Sequence, residues 1–282
     1  MDTPKAPGRI VLAATPIGNL GDASPRLIEL MTTADLVAAE DTRRLLHLAN
    51  ALGVRVAGKM VSYHEHNEVA RIAELLEHVR AGETLLVVSD AGMPAVSDPG
   101  FRLVEAAVAE GLTVTAVPGP SAVLTALALS GLPTDRFTFE GFLPRKAGER
   151  AARLAELGKE QRTMVFFEAP HRLEPMLRAL AEAFGPERPA AVARELTKMH
   201  EEVLRGPLRQ LLVWSEGEVR GEIAVVVGGA PAGEPARAVD HVARVQALVD
   251  GGMRLKDAVG AVAESERVSK RELYAAVLAS RS

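Results

Sequence analysis

The sequence predicts an α/β protein made of two α/β domains followed by a small helical extension. Three observations predict this. Short β-favouring apolar runs alternate with helically spaced segments over the first 117 residues, a second such group runs to about residue 230, and beyond Pro235 the pattern is helical throughout. With 282 residues and 48% hydrophobic content, the chain can bury a sizeable core and exceeds the usual length of one domain.

In the first group the apolar runs are Ile10–Ala14, Leu36–Ala39, Leu85–Val88 and Val114–Val117, with another short strand implied before Tyr63. Between them, Leu27, Ile28 and Met31, and then Phe101, Val104 and Val108, repeat at helical spacing. Ser24-Pro25 and Asp98-Pro99 each set a capping side chain before a proline suited to a first helical turn, so each is expected to open a helix. The second group comprises Phe137–Gly141, Met164–Phe167, Ala190–Ala193 and Ile223–Val227. It follows a helical stretch that starts at Ser121 and closes at Gly131. The boundary between the domains is therefore expected near 117–121, giving domains 1–117 and 118–230.

Ala230-Pro-Ala-Gly-Glu-Pro235 reads as a linker, because its prolines and glycine resist both helix and strand. In the extension, residues 236–282, one apolar face comprises Val239, Val242, Val245 and Leu248-Val249, and Gly251-Gly252 breaks it. Leu255, Val259 and Val262 form a second face. Ser269-Lys-Arg-Glu272 is a capping box that starts a third helix carrying Leu273, Tyr274, Val277 and Leu278. Three short helices with a tight break suggest a helix-turn-helix-like unit. From Pro235 on there are eight Lys/Arg against six Asp/Glu, which suits contact with nucleic acid; a helical cap or dimerisation element is the alternative.

Composition narrows the chemistry. The chain has no cysteine, which excludes disulfides, thiolate catalysis, iron–sulfur clusters and thiolate zinc sites. Met1–Arg9 lacks an apolar signal core and no later run approaches bilayer-spanning length, so a soluble cytoplasmic protein without a membrane partner is expected. A net charge of −4 offers no global attraction for phosphate-rich partners, so any such partner must be held by a local basic cluster.

Four strand ends run into loops of Gly, Pro and small polar residues: Thr15–Asp22, Ser89–Pro94 with Asp98-Pro-Gly100, Pro118–Ser121, and Gly141–Pro144. Ligands of α/β folds bind at the carboxyl ends of strands, where glycine admits close backbone approach and Asp90 or Ser121 can bond ribose or amino-acid groups. No Gly-x-Gly-x-x-Gly follows the first strand, which disfavours a nicotinamide dinucleotide, and there is no Walker-type phosphate loop.

Eight motifs stand in order: Thr15-Pro-Ile-Gly-Asn-Leu-Gly-Asp22, Glu40-Asp-Thr-Arg43, Tyr63-His-Glu-His-Asn-Glu68, Ser89-Asp-Ala-Gly-Met-Pro94, Pro118-Gly-Pro-Ser-Ala122, Gly141-Phe-Leu-Pro144, Phe166-Phe-Glu-Ala-Pro-His-Arg172 and Arg194-Glu-Leu-Thr-Lys198. Over about residues 9–230 this series closely resembles the bacterial small-subunit rRNA cytidine 2′-O-methyltransferases of the tetrapyrrole methylase superfamily, and the helical extension is similar to theirs. The resemblance implies two α/β domains of tetrapyrrole methylase type, with S-adenosylmethionine folded in the cleft between them. It also implies 2′-O-methylation of a cytidine ribose in 16S rRNA near the decoding centre, acting on the rRNA or the small ribosomal subunit, and a homodimer. Carried onto this chain, the implied cofactor contacts are Leu20, Asp90, Met93, Ser121, Ala122, Phe167 and Leu196. Ser89-Asp-Ala-Gly stands where much of the superfamily has Gly-Asp-Pro, which matches the rRNA branch and argues against a tetrapyrrole substrate.

Arg43-Arg44, His64-Glu-His66, Arg145-Lys146 and Arg194 with Lys198 all lie near strand ends, where they can form a basic rim for RNA phosphates. Tyr63 or Phe142 can stack on an extruded base. His64 and His66, on alternate strand positions, would share a face, but two histidines make only a partial metal site and no metal is expected. The sulfonium is already a good leaving group, so the protein must supply in-line placement and help with the proton of a poor 2′-hydroxyl nucleophile. Asp41, His64 and Lys198 are the candidates. Each has a plainer role available: pairing with Arg43, bonding a phosphate, or balancing Glu195. A tetrapyrrole or diphthine-type methyltransferase of the same fold, and an RNA-binding assembly factor without chemistry, are the alternative functions.

Overall fold

The computed structural model describes residues 8–231, 238–266 and 268–280, and of residues 238 and 239 the backbone alone. Most of the linker read at Ala230–Pro235, the side chain of Val239 and the start of Met1–Arg9 lie outside the described residues. Two compact units are present, one up to Gly228 and the other from Gly229 on.

The first unit opens with β1 (Arg9–Ala13), α1 (Pro25–Thr33), β2 (Leu36–Ala39), α2 (Thr42–Ala51), β3 (Lys59–Ser62), α3 (Glu68–Arg80), β4 (Thr84–Val88), α4 (Phe101–Ala109) and β5 (Thr113–Val117). These five strands form one sheet, ordered β3-β2-β4-β1-β5 and parallel throughout. Leu36–Ala39 and Leu85–Val88 are buried without a break because helices cover both faces of the sheet, as an all-parallel arrangement requires. As expected, Ser24 caps α1: its Oγ accepts the Leu27 N–H at 3.1 Å, with Pro25 opening the helix. The cap expected at Asp98 is not formed. The chain continues two residues further, Gly100 takes φ 140°, and α4 starts at Phe101 with no side-chain cap.

After α5 (Ala122–Leu129) come β6 (Phe137–Phe142), α6 (Ala147–Leu157), β7 (Thr163–Glu168), α7 (Leu173–Phe184), β8 (Pro189–Arg194), β9 (Glu202–Pro207), α8 (Leu208–Ser215) and β10 (Ile223–Val227). The second sheet runs β6-β7-β10-β8-β9. Only β6 and β7 are parallel; β10 is antiparallel to both β7 and β8. Ile223, at the start of β10, therefore pairs with Glu168 and with Arg194, the last residues of β7 and β8. Strand β9 was not anticipated: it is an edge strand, only partly buried, and its Glu-Val-Leu-Arg-Gly-Pro sequence carries polar residues in place of an apolar run.

The second unit contains α9 (Val242–Asp250), α10 (Leu255–Glu266) and α11 (Lys270–Ala279) around Val245, Val259, Val262, Leu273 and Val277. The expected cap is in place, with Ser269 Oγ accepting the Glu272 N–H at 3.4 Å. Among the described residues, no helix is long and apolar enough to cross a membrane.

Candidate active site

Pairing of strands brings the loops together. Because β1 pairs with β4, the loops that leave them are neighbours, and Thr15 and Gly92 exchange backbone hydrogen bonds of 2.9 and 3.1 Å. Ser89 Oγ closes the same turn on Gly92 O at 3.1 Å. Because β10 begins beside the ends of β7 and β8, residues 167–170, 193–196 and 221–224 collect at one end of the second sheet.

A cleft of about 430 Å³ lies among these loops, a volume typical of small-molecule sites. Its walls come from the 91–98 loop, the first turn of α5, and the three loop segments of the second sheet. Met93, Ser121, Ala122, Phe167 and Leu196 line it, all of them implied cofactor contacts. Ser121 also caps α5, its Oγ accepting the Leu124 N–H at 3.5 Å. Phe167 is fixed edge-on between Phe139 and Phe142, with ring centres 5.0 and 5.8 Å away.

Leu20 and Asp90 do not line the cleft. Leu20 sits on an exposed single turn at Leu20–Asp22. The Asp90 carboxylate accepts the Asp41 N–H at 3.1 Å and pairs with Arg44 at 3.2 Å, so it ties the ends of β4 and β2 together. The lining also includes Ile17, Glu168 and Glu222, to which the sequence assigns no role, and Asp98, which it reads only as a helix cap. The acids matter most. Burial, then the Glu40 and Asp90 carboxylates, push Asp98 up to about 6, against a hydrogen bond from Ser89. Glu168 is 3% exposed, accepts the Ala169 N–H at 2.9 Å and faces Arg172 at 3.3 Å.

Two of the loops are strained. Ala95, Ser97, Glu195 and Thr197 have φ between 53° and 66°, and they are the non-glycine residues at positive φ among those described. Such conformations cost on the order of 1–3 kcal/mol each and collect where a site dictates the backbone. Gly221, at φ 94°, lets the β10 entry pass close to Glu195; a Cβ there would stand 2.5 Å from its carboxyl.

The other sequence candidates separate. Tyr63 is 1% exposed in the first sheet's core, so it cannot stack on a base; burial and then Glu68 push its hydroxyl up to about 12. Phe142 is exposed on the cleft wall. His64 and His66 lie in the turn after β3, not on a strand, with rings 5.9 Å apart. His64 leaves a buried Nδ1 without a hydrogen-bond partner among the described residues. Asp41 caps α2 and holds Arg43 at 2.8 Å; the hydrogen bonds from Arg43 lower it to about 2, which makes it a poor proton acceptor. Lys198 bonds Glu195 at 2.8 Å and Glu222 at 3.1 Å. Burial pulls its ammonium down, but the two glutamates together raise it, so it remains a cation. Lys146 pairs with Glu149 and Arg194 with Glu202, while Arg145 is exposed beside a second cleft.

Similarity to known proteins agrees with this arrangement. A family profile described as Tetrapyrrole (Corrin/Porphyrin) Methylases matches residues 9–212. The chain is 53% identical over 275 residues to Ribosomal RNA small subunit methyltransferase I of Mycobacterium tuberculosis, covering 97% of this chain and 96% of the relative. The Pseudomonas aeruginosa protein of the same name is 43% identical over 272 residues, covering 95% of each chain. Among solved structures, the methyltransferase CobJ superposes with a TM-score of 0.60 at 23% identity, covering 79% of this chain and 95% of that one, which shows the shared fold. The chain thus belongs to the tetrapyrrole methylase family of methyltransferases, in the branch of the ribosomal RNA small subunit methyltransferases I.

Proposed function

We propose that the protein transfers a methyl group from S-adenosylmethionine to the 2′-oxygen of a cytidine in small-subunit ribosomal RNA. The observation that carries this reading is the near full-length identity to relatives named for small-subunit rRNA methylation. The cleft fits the donor chemically. Its walls are largely apolar, as an adenine requires, and the carboxylates of Asp98 and Glu222 on its lining suit a ligand that carries a sulfonium and an ammonium. When bound, the cofactor supplies an electrophilic methyl on a good leaving group.

The protein's residues then have to bind, orient and exclude water. Met93, Ala122, Phe167 and Leu196 provide the apolar contacts, and Ser121 fixes the start of α5. Lys198 remains positively charged and serves as a fixed cation near Glu222 on the cleft wall, a role that suits a developing oxyanion better than proton abstraction. His64 is the remaining candidate to accept the hydroxyl proton. In this reading the cleft lies between an α/β domain through residue 117 and another over 118–230, with 236–282 as a helical extension. The molecule acts in the cytoplasm as a homodimer. Mass spectrometry of 16S rRNA from a strain lacking the gene tests the assignment: one cytidine ribose methyl should vanish. An unchanged rRNA, or label from S-adenosylmethionine appearing only in a tetrapyrrole or in protein, overturns it.

A further inference from the structure

The basic side chains near the cleft fall into two groups. In the first, each side chain already has an acid: Arg43 with Asp41, Arg44 with Asp90, Lys146 with Glu149, Arg194 with Glu202, and Lys198 with Glu195 and Glu222. Most of the rim expected from the sequence is therefore neutralised by its own neighbours. The second group is Arg145, Arg150 and His171, whose side chains have no ion-pair or hydrogen-bond partner among the described residues.

All three line a second cleft, about 780 Å³ in volume, which shares Phe142, Glu168 and Ala169 with the first. Its fourth basic residue, Arg172, is already committed: it donates to Leu143 O at 2.8 Å and faces the buried Glu168 at 3.3 Å. That contact fixes the β6 exit against the β7 exit, so the wall carrying the unpaired basic side chains is held in place. Two guanidinium groups and an imidazole without counter-charges, gathered on one concave wall, gain from an anion placed among them.

We propose that this second cleft receives the backbone phosphate next to the target nucleotide, with Arg145, Arg150 and His171 as its contacts. The target ribose enters the first cleft past Phe142. The inference rests on the reading of the substrate as RNA. It moves phosphate recognition from the paired rim to the loop after β6, the start of α6 and the turn after β7.

The test compares full-length wild type with Arg145→Ala/Arg150→Ala and with Arg80→Ala/Arg209→Ala, a charge-matched control whose arginines pair with Glu110 and Glu187. Binding of a small-subunit rRNA hairpin is followed by anisotropy across a salt series, with calorimetry for S-adenosylmethionine, calorimetry for inorganic phosphate, and a melting curve. The cleft variant should lose roughly tenfold or more in RNA affinity at low salt. Its log–log salt slope should become shallower by about 0.7 for each lost phosphate contact to single-stranded RNA. Cofactor affinity and melting should stay as in wild type, and the control should change RNA affinity by less than about threefold. A folded cleft variant with wild-type affinity and slope, or a control that loses as much, overturns the inference. So does phosphate binding that disappears in the cleft variant while RNA affinity does not change, since the site then serves a free phosphate compound. Wild-type protein that neither binds nor methylates the hairpin or the small ribosomal subunit overturns the underlying reading instead, and is seen before any variant is compared.

Discussion

The carboxylate of Asp90 bridges two strand ends: one oxygen accepts the backbone N–H of Asp41 at 3.1 Å and the other faces the Arg44 guanidinium at 3.2 Å. The bridge follows from the register, since β2 and β4 pair up to Ala39 and Val88 and the next residues of each remain neighbours. Asp90→Ala removes both contacts and leaves the Asp41 N–H unsatisfied, at a cost of about 1–2 kcal/mol. Asp90→Asn keeps an acceptor for that N–H and gives up only the partly exposed ion pair, worth about 0–1 kcal/mol. Melting curves should therefore rank wild type, then Asn, then Ala, with cofactor affinity falling in the same order. A large loss of cofactor affinity in Asp90→Asn at unchanged melting temperature contradicts the tether and restores a direct contact.

Asp98 gives the cleft a pH dependence. Its folded value of about 6 lies above the ordinary 3.8, so between those limits the native state holds more protons than the unfolded chain. Its contribution to stability accordingly falls as pH rises from about 4 to 6. Ligand binding runs the other way, because the ionised carboxylate attracts a cationic cofactor. S-adenosylmethionine affinity should increase between about pH 5 and 7, and Asp98→Asn should flatten both trends. Calorimetry at three pH values checks this; an identical slope in wild type and variant excludes Asp98 as the source.

How far the site was legible depended on what each motif encodes. Met93, Ser121, Ala122, Phe167 and Leu196 line the cleft, each at or within five residues of a strand's carboxyl end. Leu20 and Tyr63 did not follow, since their motifs continue past the strand end, into an exposed turn for Leu20, while Tyr63 still faces the core. Asp98 read as a cap because Asp-Pro precedes an apolar helix; the left-handed Ala95 and Ser97 and the φ of Gly100 place it on the cleft instead. Glu168 left no such signal, because its ion pair with Arg172 spans a strand end and the turn that follows it, not one face of a helix. The pairing of Lys198 with two glutamates, one of them 24 residues away, needed the antiparallel return of β10, which apolar periodicity does not reveal.

Lys198 should behave as a fixed charge. Lys198→Arg keeps a cation for Glu195 and Glu222, whereas Lys198→Met leaves the partly buried Glu195 without one. Turnover should fall roughly a hundredfold in the methionine variant and less than tenfold in the arginine variant. Since the wild-type ammonium lies above its ordinary range, neither substitution should remove a pH–rate limb near neutrality. Loss of such a limb in Lys198→Arg identifies the amine as a base and rejects the fixed-cation role.

Gly18 couples the loop after β1 to the loop after β8. A Cβ at this position would stand 2.4 Å from Lys198 Cγ and 3.0 Å from Leu196 O, so Gly18→Ala must push the Leu196–Lys198 turn away. The flexible lysine stem can move, but the Leu196 carbonyl belongs to a turn already held at positive φ by Glu195 and Thr197. Cofactor affinity should fall about tenfold while melting shifts by only a few degrees. Wild-type affinity in Gly18→Ala indicates that the turn is not part of the cofactor wall.

Phe142 stands where the two clefts meet, exposed on one face and packed edge-on against Phe167 on the other. An aromatic ring in that position can stack on a base drawn out of an RNA helix, an interaction worth about 1–3 kcal/mol by truncation. Phe142→Ala should therefore raise the KM for rRNA by roughly fivefold to a hundredfold, with cofactor affinity within about twofold of wild type. The partner ring gives a control. If Phe142 mattered only by supporting Phe167, the alanine variant would lose cofactor affinity along with RNA, because Phe167 lines the first cleft, the one proposed for the cofactor. Phe142→Leu sharpens the distinction: leucine restores apolar bulk against Phe167 but offers a base no aromatic face. Cofactor binding should return to wild type in Phe142→Leu while the RNA KM stays high. Recovery of both in the leucine variant rules out stacking at this position.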